Sequence, residues 1–121
     1  MTDQSVDRLF RKAVLAMRGP TCEACGQVHE PEVHHLITRC HGITRWEVAN
    51  GMVLGKSCHR WAHDTGFVAA IRKNRPAKDR KLLDSLENKM FWRFLQNQGI
   101  TGEEYVEIKV RELRAIIKGE I

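Results

Sequence analysis

Apolar residues recur at helical spacing at the start of the chain. Val6, Leu9, Phe10, Ala13, Val14 and Met17 fall on one side of a helix over Asp3–Arg18, with Arg8, Arg11, Lys12 and Arg18 mostly on the other. Gly19 and Pro20 stop it. The pattern then shortens: residues 32–37 and 52–54 read as two short strands. The stretch 38–51 between them, with Gly42, Trp46, Asn50 and Gly51, is too long for a tight hairpin turn and reads as a loop with local structure of its own. Trp46 either stands exposed on that loop or packs beneath it.

A helix from about residue 57 carries Cys58, His59, Trp61 and His63 and fades at Gly66. Trp61 lies off the face that the two histidines share and is expected to be buried. Leu82, Leu83, Leu86, Met90, Trp92, Phe94 and Leu95 mark a further helix to about residue 98, with a broad apolar face. Thr101 with Glu104 three residues later is a capping box. It opens a last helix in which Tyr105, Ile108, Leu113, Ile116 and Ile117 are packing positions. No internal repeat or low-complexity segment interrupts this order, which predicts one domain of the α+β class. Its parts are an N-terminal helix over 1–20, a core over 21–66 and a basic segment with C-terminal helices over 67–121.

A chain of 121 residues buries a limited fraction of its surface, so a bound metal would help to hold it together. The formal charge of +5 favours a polyanionic partner. No apolar run reaches membrane-spanning length and no leader pattern is present, so the expected setting is cytoplasmic, without a membrane partner. There the four cysteines are thiols or metal ligands rather than disulfides.

The residues able to do chemistry cluster. On a helix His59 and His63, four apart, share one face and can hold a single ion, while Cys58 points about a quarter-turn away. His34 and His35 stand side by side on the first strand, where an ideal backbone would send them to opposite faces. Cys22 and Cys25, followed by Gly26, have the spacing of a knuckle in which two thiolates grip one ion. The alternatives are a pair of buried thiols or a redox pair, although nothing flanking them forms a strand-then-helix unit. Arg72, Lys73, Arg75, Lys78, Arg80 and Lys81 form the most basic run, read either as a solvated surface or as a track for a nucleic-acid backbone.

Taken together, Cys22-x-x-Cys25, Glu32-Val-His34-His35, Asn50 and Cys58-His59-x-x-x-His63 resemble the HNH endonuclease superfamily. Its core is a hairpin and a helix around one catalytic metal, and small free-standing members are phage or mobile-element nucleases acting in bacterial host cells. The resemblance covers about a third of the chain, from Cys22 to His63. It implies a ββα-metal core, which the N-terminal helix and two C-terminal helices read from the apolar pattern would flank. It also implies His34, His59 and His63 as ligands of a divalent ion (Zn, Mg, Mn or Ni), His35 as general base and Asn50 as the residue that pins the loop and helps to orient His35. Glu32 would accept from a ligating imidazole or be a plain surface carboxylate. The implied activity is hydrolysis of DNA to 5′-phosphate and 3′-hydroxyl ends, with DNA held through the basic run.

Many relatives also carry a structural zinc on two Cys-x-x-Cys pairs. Here Gly55 stands three residues before Cys58, where the other thiolate is expected, so Cys22, Cys25 and Cys58 need a fourth ligand. Cys40 is the first candidate and His29 the second; otherwise the structural ion is absent. Two rival functions follow. One is a zinc-stabilised nucleic-acid-binding module without nuclease activity. The other is an assembly protein dominated by its long helices, which would form a defined oligomer. Residues 82–121 lie outside the family core, and packing, homodimer formation or docking on a larger complex is their expected role.

Overall fold

The computed structural model describes residues 2–120. Helix α1 (Asp3–Arg18) starts where Thr2 Oγ1 accepts from the Ser5 backbone N–H, and it ends at Gly19, whose φ of 77° suits only a residue without a Cβ. Its buried face is Val6, Phe10, Ala13 and Val14; Met17, counted with that face from its spacing, is exposed.

Strands β1 (Pro31–His35) and β2 (Gly51–Gly55) pair antiparallel, with Val33 opposite Val53, His34 opposite Met52 and His35 opposite Gly51. The first strand stops short of Ile37 because the Ile37 N–H donates to the side chain of Asn50 instead of continuing the ladder. Every residue of β2 is buried, since both faces of the hairpin are covered. Val53 packs with α1 and the C-terminal helix, while Met52 and Leu54 turn the other way to Ala62, Ile71 and Cys22. The connecting loop folds into two 3-10 turns, at Gly42–Thr44 and Val48–Asn50, and buries Ile43, Thr44 and Trp46.

After β2 a 3-10 turn at Lys56–Cys58 leads into the short helix α2 (His59–Asp64). These elements give the expected ββα-like core, preceded by the N-terminal helix. The C-terminal part differs: four helices follow α2 where two were expected. They are α3 (Phe67–Asn74), α4 (Ala77–Glu87), α5 (Phe91–Gln98) and α6 (Gly102–Ile117). The basic run is itself helical and divides between α3 and α4. The break falls at Arg75, extended (φ −67°, ψ 154°) as a residue before proline must be. The helix expected over 82–98 is two: Leu83 and Leu86 bury on α4, while Phe91, Phe94 and Leu95 pack around Tyr105 of α6. The broad apolar face was two narrow ones. Helix α6 carries the expected capping box of Thr101 and Glu104 and packs along α1.

No helix among the described residues is long and apolar enough to cross a membrane.

Candidate metal centres

Two groups of ligand-type side chains meet where the Lys56–Cys58 turn joins α2. In the first, β1 presents His34 and α2 presents His59 and His63, which share a face because they are four apart. Ring centroids are 3.9 Å apart for His34 and His59, 4.9 Å for His59 and His63, and 5.8 Å for His34 and His63. One nitrogen of each ring lies within 4.8 Å of the other two. His34 Nε2 is buried and has no hydrogen-bond partner in the chain. Such an orphan costs roughly 1–3 kcal/mol unless something else occupies it. A metal ion could do so, and three imidazoles fit one that favours nitrogen donors while leaving further coordination positions open. Burial, followed by the closeness of His59, pushes His34 down to about 4, so the ring stays neutral near pH 7, the form that binds metal. Glu32, two residues before His34 and so on the same face of the strand, places Oε1 3.9 Å from His59 Nδ1.

His35 takes the other side of the hairpin. Its ring stacks on Phe10 of α1 at 4.8 Å with an interplanar angle of 11°. Its Nε2 lies 2.9 Å from the carbonyl oxygen of Arg45. A carbonyl only accepts, so Nε2 carries the proton of the neutral ring and Nδ1 keeps the free lone pair. Burial lowers the pKa of His35, against the pull of that carbonyl. Asn50, fully buried, makes no side-chain hydrogen bond to His35. Its amide donates to the carbonyls of Ile37 (3.0 Å) and Thr44 (3.1 Å), and its Oδ1 accepts from Ile37 N–H (2.7 Å). These three bonds tie the strand end to the loop just before Arg45.

The second group is Cys22, Cys25, His29 and Cys58, whose ligand atoms also lie within 4.8 Å of one another. The knuckle closes through Gly26 N–H on the Cys22 carbonyl (2.9 Å), and Gly26 adopts a φ of 75°. His29 Nε2 lies 3.1 Å from Cys25 Sγ and 3.9 Å from Cys58 Sγ. A Cβ on residue 55 would fall 1.6 Å from His29 Cε1, so the imidazole fills the space that a side chain at that position would need. The geometry therefore gathers His29, not Cys40, with the three thiols; Cys40 is exposed in the loop and belongs to neither group. Burial works against ionisation of Cys22, but backbone hydrogen bonds at Gly55, Cys25 and Ala24 outweigh it and lower the thiol. Desolvation and the neighbouring Cys25 and Cys22 raise Cys58. Three thiols and an imidazole at this separation are a donor set for a tetrahedral ion such as zinc.

The basic run divides by role. Arg72 grips Glu87 and Asp84, and Arg75 grips Glu23 between the knuckle cysteines and also donates to the Gly51 carbonyl. Lys73, Lys78, Arg80 and Lys81 remain exposed. The tryptophans are placed by long-range packing: Trp46 is buried, whereas Trp61 is 50% exposed, against the expectation of burial, and leans on Phe67. Sequence reasoning missed Asp7, Phe10 and Arg45, which surround His35, because no local spacing connects them to it.

Comparison with known proteins gives no match to a family model, to a curated protein or to a solved structure. The class rests on the molecule itself: a small ββα-like fold whose Cys and His groups are suited to binding metal, as in a nuclease-like metal-binding module.

Proposed function

We propose that the chain is a metal-dependent DNA endonuclease of the HNH type. One observation carries this reading, the division of the histidine doublet: His34, its buried Nε2 unpartnered, belongs to a three-imidazole group, while His35 is held through Nε2 with Nδ1 free. His34, His59 and His63 would hold the ion, which when bound supplies positive charge to the scissile phosphate and the leaving 3′ oxygen. His35 takes the proton of the attacking water at Nδ1, and the Arg45 carbonyl steadies the imidazolium that forms. Asn50 keeps the loop closed so that this carbonyl stays in place. The exposed Lys73, Lys78, Arg80 and Lys81 offer backbone contacts to DNA, with Arg72 and Arg75 engaged in ion pairs to the chain's own carboxylates. Cys22, Cys25, His29 and Cys58 would hold a structural zinc at the root of α2.

Nicking of a supercoiled plasmid in the presence of Mg, Mn, Ni or Zn, and again in chelator, tests the reading. Cleavage should depend on metal and leave 5′-phosphate and 3′-hydroxyl ends. His35→Ala should lower turnover by about 10²–10⁴-fold with DNA binding kept, and wild-type turnover in that variant would refute the assignment of the base. The four-donor Cys/His group also suits a zinc-stabilised nucleic-acid-binding module. DNA binding that needs zinc, with no cleavage in any metal, would select that reading instead.

A further inference from the structure

The N-terminal helix lies outside the ββα core, yet two of its side chains reach the surroundings of His35. Asp7 and Phe10 are three apart on α1 and so share a face. Phe10 is the ring on which His35 stacks. Asp7 Oδ1 accepts from Arg45 Nε (3.0 Å) and from the Trp46 indole N–H (2.9 Å), and Oδ2 accepts from Arg45 Nη2 (2.7 Å). One carboxylate thus grips two consecutive side chains, those on either side of the peptide whose oxygen receives the His35 Nε2 proton at 2.9 Å.

We infer that Asp7 is a positioning residue for His35: by clamping Arg45 and Trp46 it fixes the direction of the Arg45 carbonyl, and through it the ring orientation and tautomer of the general base. The inference rests on the reading of His35 as that base. An asparagine at position 7 cannot reproduce the clamp, because its single oxygen replaces two and its NH₂ faces the guanidinium donors. A released Arg45 leaves its carbonyl free to rotate. His35, with only Phe10 to hold it, then samples both neutral tautomers.

The test is Asp7→Asn. Plasmid cleavage should fall by about tenfold or more in kcat with KM nearly unchanged. Long-range ¹H–¹⁵N correlation spectra should show His35 changing from a single Nε2–H tautomer to a mixture. In the His35→Ala background Asp7→Asn should cost nothing further. A folded Asp7→Asn protein with wild-type kcat and an unaltered His35 tautomer overturns the inference, as does a rise in KM alone. Should Asp7→Asn fail to fold, Arg45→Gln keeps both the carboxylate and the carbonyl and must give the same two changes; if it gives neither, the inference is wrong. Wild-type cleavage by His35→Ala would instead sink the base assignment, and the tautomer spectra would still judge the link from Asp7 to His35.

Discussion

Tyr105 is the chain's single tyrosine, and its hydroxyl donates to the Ile43 carbonyl at 3.2 Å from a site only 3% exposed. Burial pushes the phenol up to about 12, from an ordinary value near 10. Below the lower value both folded and unfolded chains keep the proton, and the contribution to stability is complete. As pH rises through the window the unfolded chain ionises first, so folding free energy falls until the folded phenol also titrates. Phenolate absorbance should therefore show a midpoint near 12 in the native protein and near 10 in denaturant; a native midpoint near 10 would contradict the burial. At this scale the sequence conveys what is local. His59 and His63 converge because four residues are about one helical turn. The tryptophans show the limit. Trp46 is covered because Asp7, far off in sequence, receives its indole N–H, whereas Trp61 sits on the outer side of a short helix with Phe67 beside it.

The junction of the Lys56–Cys58 turn with α2 is where the two groups meet, since Cys58 and His59 are neighbours that face different ones. The four-residue step was readable. His29 was readable only as a second candidate behind Cys40, because the choice depends on the imidazole crossing over Gly55 of β2. That crossing predicts a swap. His29→Ala should weaken zinc binding by about tenfold or more, and Gly55→Ala should do the same by displacing the imidazole. His29→Ala combined with Gly55→Cys should restore affinity, because the fourth donor then comes from the strand. Competition with a chromophoric chelator measures all three, and full affinity in His29→Ala alone would remove His29 from the ligand set. The helices of residues 77–98 teach a related point. Residues 88–90 include neither glycine nor proline and offer only Asn88, the C-cap of α4, as a weak stop signal; beyond it α5 turns Phe91 and Phe94 onto Tyr105.

For the molecule as a whole, the apolar clusters that join the core to its flanking helices are supplemented by partly buried ion pairs. Lys109 of α6, 7% exposed, pairs with Glu47 of the loop and with Glu112, and Arg75 ties the α3–α4 junction to Glu23 beside the knuckle. Removing one partner of a buried pair leaves the other charge uncompensated. Lys109→Ala should accordingly cost about 3 kcal/mol in urea unfolding, while Lys109→Met with Glu47→Leu should cost much less. A loss under about 1 kcal/mol for the single variant would place the pair with ordinary surface ion pairs. The sequence by itself determined the periodic elements, the order of the ββα-like core, the capping box and the spacing of the imidazoles, because each depends on residues within a turn or two of one another. Only the tertiary structure decided which side of the hairpin each member of the His34–His35 doublet faces. The same holds for His29 filling the space over Gly55, and for Arg72 and Arg75 of the basic run being taken up in ion pairs within the chain. Those outcomes depend on groups brought together across tens of residues, where charge, volume and burial decide and local pattern carries no information.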